Sequence, residues 1–292
     1  MSLQEGYPSP AGYVSFTKVW HNKPYPFISP QRPALSAKNK NVVVTGGGSG
    51  IGKAIAIAFA EAGAASVAIL GRRLERLEAS AQDIEAVGSK TRVICEAADI
   101  RKRLSLDKAL DSIVAQVGKI DIFVANAATQ VTFGSVNGYD EETFRAYMDL
   151  NIMGAFNSIQ SFLRVSAPGA KLFNVSSGLG HIAAVPGMAA YSISKAAIIK
   201  LFDYVAAEMP DLHVVSIQPG VIATEMSKDA GFPAQDDVEL PGHFLVWLAS
   251  PEAAFLKGKF VWANWDAEEL ISRSSEIQNP NAIKVLLGGV AM

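Results

Sequence analysis

The chain lacks most of the features that would place it outside the cell or in a membrane. Its single cysteine, Cys95, excludes an internal disulfide framework and favours a reducing compartment. No apolar run reaches the roughly 18 residues that a membrane-spanning helix needs, and the N-terminal MSLQEGYPSP lacks the apolar region of a signal peptide. We therefore predict a soluble, cytoplasmic protein without a membrane partner.

An excess of charge and a metal-binding pattern are also missing. The 292 residues carry a formal net charge of −2, so the sequence has no basic footprint for nucleic acid. The four histidines are scattered without the spacing of metal ligands. We predict neither a nucleic-acid partner nor a metal. With 49% hydrophobic and 18% charged residues, the chain has the composition of a globular protein with a large core.

The first 40 residues are rich in proline and aromatic side chains. They hold six of the 14 prolines, a density that opposes helices and ladder pairing. An arm that lies on the body of the protein, or on a neighbouring subunit, accounts for both features, and a disordered leader is the alternative. The aromatic residues of this segment are Tyr7, Tyr13, Phe16, Trp20, Tyr25 and Phe27.

From residue 41 onward, short β-type runs alternate with amphipathic helix-type runs. The alternation predicts an α/β fold of the Rossmann type, a doubly wound parallel sheet of about seven strands with helices on both faces. The strands are predicted at 42–45, 66–70, 91–96, 120–125, 170–175, 212–218 and 258–262. The helices are predicted at 50–62, 73–87, 103–117, 140–165, 189–208 and 238–249. The predicted parts of the chain are an arm over 1–40, a dinucleotide-binding catalytic domain over 41–265 and a C-terminal extension over 266–292.

Ligands of such sheets bind beyond the carboxyl ends of the strands, and the first predicted strand ends in a glycine-rich turn. The run Val42–Val44 leads into this turn, and a helix-like run follows it. Backbone N–H groups and the helix dipole make such a junction an anion site. The glycine spacing differs by one residue from the dinucleotide fingerprint GxGxxG. The residues predicted to hold a dinucleotide diphosphate are Gly46, Gly48, Ser49, Gly50, Ile51 and Gly52.

A nucleotide-triphosphate P-loop is the main alternative for this turn, because Gly47-x4-Gly52-Lys53 nearly matches its pattern. That motif needs Ser or Thr at the next position to ligate Mg²⁺, whereas Ala54 stands there. The motif therefore favours a dinucleotide, and a glycine turn without any ligand stays open as a second alternative.

The residues after the second predicted strand indicate which coenzyme the site takes. An NAD site places an acid about twenty residues past the glycine motif, whereas an NADP site places arginine near the 2′-phosphate. Here Gly71 occupies the position of the acid, and Arg72 and Arg73 follow. A guanidinium suits phosphate because its planar fork bonds two oxygens. We predict NADP(H) as the preferred cofactor and NAD(H) as possible; alternatively, the arginines only open a solvated helix.

Three further positions stand out beyond the glycine motif. Asp99, with Ile100 beside it, follows the third strand and is placed to reach the adenine. The fourth strand ends at Asn126 among small residues, which let a flat ring and a ribose lie against the backbone. Asn151 lies inside the helical pattern 140–165, where asparagine is unfavourable and needs a reason. A simple cap or kink is the alternative to a functional role.

The most informative chemical pattern is Ser176-Ser177 at a strand end, followed by Tyr191-x3-Lys195. A tyrosine and a lysine four residues apart share one face of a helix. An ammonium beside the phenol favours the phenolate and is expected to lower the tyrosine pKa from about 10 toward the working range. Such a tyrosine exchanges a proton with an alcohol or carbonyl oxygen, and a serine hydroxyl polarises the same oxygen.

With these residues in view, the chain resembles the short-chain dehydrogenase/reductase family in its single-domain, NAD(P)(H)-dependent form. The resemblance covers about residues 41–262 and implies hydride transfer on a Rossmann-type fold. The motifs that carry it are TGGGSGIG at 45–52, Asp99, Asn126-Ala127, Asn151, Ser177, Tyr191-x3-Lys195 and Pro219-Gly220-x3-Thr224.

The resemblance also implies a role for each catalytic residue. Tyr191 is the expected acid/base, and Lys195 is expected both to perturb the phenol and to bind the ribose. Ser177 is the expected oxyanion partner, and Asn151 is expected to hold a water in a proton relay. The residues expected to clasp the nicotinamide are Pro219, Gly220, Ile222 and Thr224.

The sequence departs from the family pattern at several points. The family's Asn-Asn-Ala-Gly stands as Ala125–Ala128, without the final glycine. The gap from Ser177 to Tyr191 is one residue longer than is common, which leaves Ser176 open as the catalytic serine and predicts a slightly enlarged substrate loop. The N-terminal arm is similar to those of filamentous-fungal members and thereby points to secondary metabolism.

Substrate identity is expected to reside in the loops 178–190 and 225–240, which cover a rigid scaffold. Their apolar residues favour a medium-sized apolar ketone or secondary alcohol, as in a ketoreductase. His181 either hydrogen-bonds this small-molecule substrate or is a satisfied loop residue. The aromatic side chains expected to extend the pocket are Phe232 and either Trp262 or Trp265.

Two other functions are alternatives to hydride transfer. A non-redox enzyme on this fold (a dehydratase, an epimerase or a cyclisation catalyst) is one alternative, and a cofactor-binding interaction protein is the other. The intact Ser, Tyr, Lys and Asn set favours redox chemistry.

The helix patterns 140–165 and 189–208 carry more apolar side chains than one sheet face needs, which predicts a homodimer or homotetramer.

Overall fold

The computed structural model describes residues 6–88, 90–129, 132–225 and 233–286, and a parallel sheet of seven strands lies at its centre. In chain order the strands are β1 (Asn41–Thr45), β2 (Ser66–Gly71), β3 (Arg92–Ala97), β4 (Ile120–Ala125), β5 (Ser166–Val175), β6 (His213–Gln218) and β7 (Lys259–Trp262). Their order across the sheet is β3-β2-β1-β4-β5-β6-β7. This doubly wound order switches between β1 and β4. The predicted fold class is confirmed.

Helices cover both faces of the sheet close to the predicted positions. They are α1 (Gly50–Glu61), α2 (Leu74–Val87), α3 (Arg103–Val117), α4 (Glu141–Tyr147), α5 (Gly154–Val165), α6 (Ala189–Glu208), α7 (Leu240–Leu248), α8 (Ala267–Ser272) and α9 (Ser274–Ile277). The pattern 140–165, predicted as one helix, is divided by a π-helical turn over Met148–Met153. No helix in the described ranges is both long and apolar enough to cross a membrane.

The alternation of side chains along β1 explains why its valines are all buried. Val42 and Val44 face the core that α1 and α7 share, whereas Val43 faces the opposite core with α3, α5 and α6. A strand buried on both faces reads as a continuous apolar run, which is what the sequence shows. The rigid β1 end therefore presents the glycine turn at the switch point of the sheet.

The helices α5 and α6 bury most of their apolar side chains within their own subunit. Ile159, Phe162, Ile198 and Phe202 belong to the two helix patterns from which an oligomer was predicted, and all four are buried against the sheet. The large apolar side chains that these helices and the π-helical turn leave exposed are Met153, Phe156, Ile193 and Tyr204. The surface available to a partner is thus smaller than the sequence pattern indicated.

The described part of the N-terminal arm, residues 6–40, packs on the body of its own chain. Tyr13 and Trp20 pack against Trp262, with ring centroids 5.1 and 5.8 Å away, and Phe16 packs against Trp265 at 5.6 Å. Further along, Ile28 and Leu35 join the core with α1 and α7. The aromatic side chains that are unusual in a solvated tail are therefore explained by packing.

Candidate active site

The glycine turn after β1 has no room for side chains at its tightest point. A Cβ at Gly52 would lie 2.2 Å from the carbonyl oxygen of Gly46 and 2.5 Å from the side-chain nitrogen of Asn126. Gly46 and Gly50 have φ values of +71° and +52°, which L side chains rarely adopt. The turn is thus a bare backbone surface at the start of α1, suited to a diphosphate.

Asn126 holds this turn by joining the ends of β1 and β4. Its side-chain nitrogen donates to the carbonyl oxygen of Thr45 at 2.9 Å. The hydroxyl of Thr45 in turn accepts from the backbone N–H groups of Asn126 and Ala127, at 3.0 and 3.1 Å. Asn126 also lines the cavity above the turn, so the predicted cofactor residue both supports and faces the site.

A cavity of about 720 Å³ runs over the carboxyl ends of the strands and collects most of the predicted cofactor residues. Its volume and bare glycine floor fit a dinucleotide. Among the predicted residues, Gly220, Ile222, Ser177 and Asn151 do not line it directly. The predicted residues that do line it are Gly46, Gly48, Ser49, Gly50, Ile51, Gly52, Arg72, Arg73, Asp99, Ile100, Asn126, Tyr191, Lys195, Pro219 and Thr224.

Three arginines line the end of the cavity beside β2. Arg72 and Arg73 were predicted there, and Arg76 was not. Arg76 lies about one helical turn beyond them, a spacing that could have drawn attention to it. Its Nη1 lies 2.5 Å from an Oε2 of Glu225, which comes from the opposite side of the cavity. The cluster gives this end of the site the positive charge that a phosphate group requires.

Asp99 lies at the same end, but its carboxylate is already engaged. Arg101 donates to it from Nε and from Nη2, the latter at 2.6 Å. The Arg101 guanidinium and its hydrogen bonds hold the pKa of Asp99 below the usual range, and Arg72 contributes in the same direction. Asp99 therefore lines the cavity, but its carboxylate is less free to bind adenine than the sequence suggested.

Tyr191 and Lys195 lie one turn apart in the first half of α6 and are 9% and 4% exposed. Lys195 donates from Nζ to the carbonyl oxygen of Val175 at 3.1 Å, and Nζ lies 5.6 Å from the centre of the Tyr191 ring. Burial lowers the pKa of Lys195 to about 8. Burial also raises the pKa of Tyr191 to about 12, although a hydrogen bond with Ser177 opposes this.

The raised pKa of Tyr191 differs from the sequence expectation. The phenol was expected to titrate at lower pH because of the neighbouring ammonium. In the structure the ammonium is turned to Val175, so the burial of the phenol dominates. Without a bound cofactor, Tyr191 is therefore a protonated phenol at neutral pH.

A tyrosinate titration of cofactor-free protein tests this state of the site. We expect wild type and Tyr191→Phe to give the same ultraviolet absorbance change from neutral pH up to the range in which ordinary tyrosines ionise, about pH 10. The buried phenol ionises only above that range, near the value of about 12. Circular dichroism at each pH checks that the fold persists. Phenolate absorbance near neutral pH in wild type alone would contradict the assignment.

The two candidate serines at the end of β5 have different surroundings. Ser177 hydrogen-bonds with Tyr191, and its Oγ accepts from the backbone N–H of Leu179 at 3.2 Å. Ser176 also borders the cavity, but its buried hydroxyl has no hydrogen-bond partner within the described part of the chain. Ser177 thus acts on the Tyr191 phenol, whereas Ser176 lines the cavity.

Asn151 lies in the π-helical turn between α4 and α5, where both polar atoms of its side-chain amide form hydrogen bonds. Its Oδ1 accepts from the backbone N–H of Thr129 at 3.1 Å, and its Nδ2 donates to Ser194 Oγ at 2.9 Å. Ser194 donates to the backbone oxygen of Tyr191 at 2.7 Å. A second cavity of about 10 Å³, bordered by Asn151 and Lys195, lies below and has room for one water. Turns of this kind are frequent at functional sites.

The segment 219–224 crosses the site from the end of β6. Pro219 and Thr224 line the main cavity, and a Cβ at Gly50 would lie 3.2 Å from the Thr224 methyl group. Gly220 has a φ of +111°, and Ile222 is buried beside Asp236. The four predicted residues thus form one short segment against the glycine turn, with two of them turned away from the cavity.

The substrate side of the site differs from the prediction in its tryptophans. Trp262 and Trp265 do not line the main cavity, because they are buried under the N-terminal arm. His181 is a satisfied loop residue: its Nε2 accepts from the indole Nε1 of Trp262 at 3.1 Å. Phe232 lies outside the described residues. The apolar side chains packed with Tyr191 instead are Tyr147, Leu179, Val185 and Met188.

Comparison with known proteins identifies relatives over nearly the whole chain. The family model described as short chain dehydrogenase matches residues 40–233. A short chain dehydrogenase/reductase from Aspergillus novofumigatus, nsrO, is 32% identical over 93% of this chain and 93% of its own length. A short chain dehydrogenase/reductase from Claviceps purpurea is 33% identical over 88% of each chain.

Solved structures give the same assignment. A short chain dehydrogenase from Burkholderia cenocepacia in complex with NADP has a TM-score of 0.71 and 26% identity, over 80% of this chain and 99% of that one. The Pseudomonas aeruginosa RhlG/NADP active-site complex has a TM-score of 0.72 and 26% identity, over 79% of this chain and 97% of that one. Sequence, fold and site geometry agree: the chain is an oxidoreductase of the short-chain dehydrogenase/reductase family.

Proposed function

We propose that the protein is an NADP(H)-dependent oxidoreductase that interconverts a medium-sized apolar ketone and the corresponding secondary alcohol. The observation that carries the proposal is the meeting of Tyr191, Ser177 and Lys195 beside a dinucleotide-shaped cavity with three arginines at its far end. The NADP complexes among the structural relatives support the coenzyme. The arm, which resembles those of filamentous-fungal members, supports a substrate from secondary metabolism.

The side chains around Tyr191 fit proton transfer to a substrate oxygen. When bound, the reduced nicotinamide supplies a hydride to the carbonyl carbon. The Tyr191 hydroxyl donates its proton to the carbonyl oxygen, and the Ser177 hydroxyl donates a hydrogen bond to the same oxygen. The raised pKa of Tyr191 keeps the phenol protonated and suits this donation. Lys195 and the small cavity at Asn151 offer a path for the proton that replaces it.

Apolar side chains around the phenol support the proposed substrate class. The Tyr147 ring stands edge-on to the Tyr191 ring, with centroids 6.4 Å apart, and Met188 is buried beside it. A phosphorylated or strongly charged substrate would find little to pair with on this side. The proposal is tested by following NADPH absorbance with a panel of ketones and, in reverse, secondary alcohols. Saturable NADPH binding without turnover of any of them would contradict it.

The coenzyme proposal leads to a mutational prediction. We expect wild type to bind NADPH more tightly than NADH, and Arg72→Ala to remove most of the difference. A hydrogen bond to a charged group is worth about 1.5–3 kcal/mol, or roughly tenfold or more in affinity. Dissociation constants from fluorescence titration measure the effect. Arg145→Ala is the control, because this exposed arginine pairs with Glu141 away from the cavity. Equal affinities for both coenzymes in wild type would refute the preference.

We also propose a homodimer or homotetramer. Four exposed apolar side chains support it: Phe156 on α5, Ile193 and Tyr204 on α6, and Met153 on the π-helical turn that precedes α5. Sedimentation at micromolar concentration is expected to show more than one chain per particle, and Phe156→Asp is expected to weaken the association. A single wild-type species near 31.0 kDa would rule the assembly out.

A further inference from the structure

The structure assigns the N-terminal arm a part in the active site: we propose that Asn22 is a positioning residue that sets the nicotinamide-binding segment 219–224 through Asp236. The inference rests on the proposed function, because it takes this segment as the one that holds the nicotinamide end of the cofactor. The family model matches residues 40–233, so it includes neither Asn22 nor Asp236.

Asp236 is the centre of the arrangement. Its Oδ2 accepts from the backbone N–H of Val221 at 2.6 Å. Its Oδ1 accepts from Nδ2 of Asn264 at 2.8 Å and from Nδ2 of Asn22 at 2.7 Å. A Cβ at Gly220 would lie 2.8 Å from Oδ2, so the carboxylate lies directly against the backbone of the segment. Short hydrogen bonds to a carboxylate are among the stronger ones in proteins.

The backbone of Val221 is held from its other side as well. Its carbonyl oxygen accepts from the N–H groups of Gln235 and Asp236, at 2.9 and 3.1 Å. Both polar groups of Val221 are therefore used, and the peptide planes on either side of it are fixed. One of these planes adjoins Gly220, whose φ of +111° makes the turn into the cavity possible.

The arm closes this arrangement from the outside. The backbone N–H and carbonyl groups of His21 bond Asn264 at 2.8 and 2.9 Å, and Asn264 is fully buried. The carbonyl oxygen of Asn22 accepts from the N–H of Asp237 at 2.7 Å. Asn22 is thus hydrogen-bonded to Asp236 through its side chain and to Asp237 through its carbonyl oxygen.

Attachment of the arm does not depend on Asn22. Trp20 packs on Trp262 at the end of β7 and Phe16 on Trp265 just after it, and Arg32 forms an ion pair with Glu252 at 2.8 Å. Asn22 itself is exposed, so it can be replaced without opening a core. Its amide is expected to act on Asp236 and, through that carboxylate, on Val221. Removal of the amide leaves Asp236 with one donor fewer and a looser hold on the segment.

The test separates the two ends of the cofactor. NADPH carries the nicotinamide, whereas adenosine 2′,5′-bisphosphate retains only the adenine end and its 2′-phosphate. We expect Asn22→Ala to weaken NADPH binding by about tenfold, comparable to the loss of one hydrogen bond to a charged group, with little change for the bisphosphate. Asn22→Asp places a second carboxylate beside Asp236 and is expected to weaken NADPH binding further.

Two further variants distinguish positioning from general damage to the arm. Arg32→Ala loosens the arm elsewhere and is expected to lower the melting temperature without changing the NADPH-to-bisphosphate affinity ratio. Asn22→Gln keeps an amide donor for Asp236 and is expected to retain more NADPH affinity than Asn22→Ala. Kinetics with an active ketone are expected to show a higher KM for NADPH in Asn22→Ala.

The outcomes are distinct from those of the proposed function. Wild type that prefers NADH refutes the coenzyme proposal, and the Asn22 variants are then compared with NADH and ADP. If Asn22→Ala changes neither ligand, or weakens the dinucleotide and its adenine fragment equally, the positioning role is wrong. It is also wrong if Asn22→Gln binds NADPH no better than Asn22→Ala.

Discussion

Replacement of Tyr191 by phenylalanine is expected to lower kcat/KM by about 10²–10⁴-fold, the range attributed to general acid–base catalysis. The variant loses only the hydroxyl that hydrogen-bonds with Ser177 and keeps the ring that packs against Tyr147. Its affinity for NADPH is therefore expected to stay within a few-fold of wild type. Steady-state kinetics with an active ketone and a separate cofactor titration measure the two quantities.

Tyr204→Phe is the matched control for this variant. Tyr204 lies on the same helix, α6, but its side chain is 58% exposed and stands outside the site. It is expected to have wild-type kinetics. Lys195→Ala is expected to impair both turnover and cofactor binding, because that side chain faces both Tyr191 and the cavity. Retention of a tenth or more of wild-type kcat/KM by Tyr191→Phe would show that the acid/base is another group.

The second large effect is expected from Gly52→Ala. The added methyl group would lie 2.2 Å from the Gly46 carbonyl oxygen, and this neighbour is backbone that cannot turn aside. We expect a loss of about 1–3 kcal/mol in the free energy of unfolding, the usual cost of overpacking. Displacement of the turn is also expected to weaken NADPH binding by at least about tenfold. Denaturant unfolding and cofactor titration measure these effects.

Gly48→Ala is the control within the same turn. A Cβ there would meet the end of the Leu77 side chain at 3.3 Å, and a leucine side chain can move by a few tenths of an ångström. Its unfolding free energy is expected to remain close to wild type, whereas Gly52→Ala falls. Equal stability of the two variants would show that the close contact at Gly52 is not what requires glycine.

The sequence predicted the features that follow from local patterns. The buried run Val42–Val44, the glycine turn and the spacing of Tyr191 and Lys195 each have a period or composition that a single segment reveals. The doubly wound sheet follows because those segments alternate. The order of strands then brought the predicted cofactor residues to one edge of the sheet, as expected for ligands of this fold.

Features that depend on distant contacts were not accessible in this way. The bond from Asn22 to Asp236 joins residues 214 positions apart, and nothing near Asn22 indicates its partner. The pKa of Tyr191 depends on how deeply α6 buries the phenol, which the Tyr-x3-Lys spacing does not specify. The π-helical turn at Asn151 was visible only as an unfavourable residue in a helical pattern.

The docking of the arm has a consequence for the protein's intrinsic fluorescence. Of the four tryptophans, three lie where the arm meets the body: Trp20 on the arm, with Trp262 and Trp265 beneath it. The fourth, Trp247, is fully buried in α7. Detachment of the arm would therefore expose most of the indole rings to water while the sheet stayed folded. During unfolding, a red shift in tryptophan emission that precedes the loss of the circular dichroism signal would report detachment of the arm. No attached dye is needed.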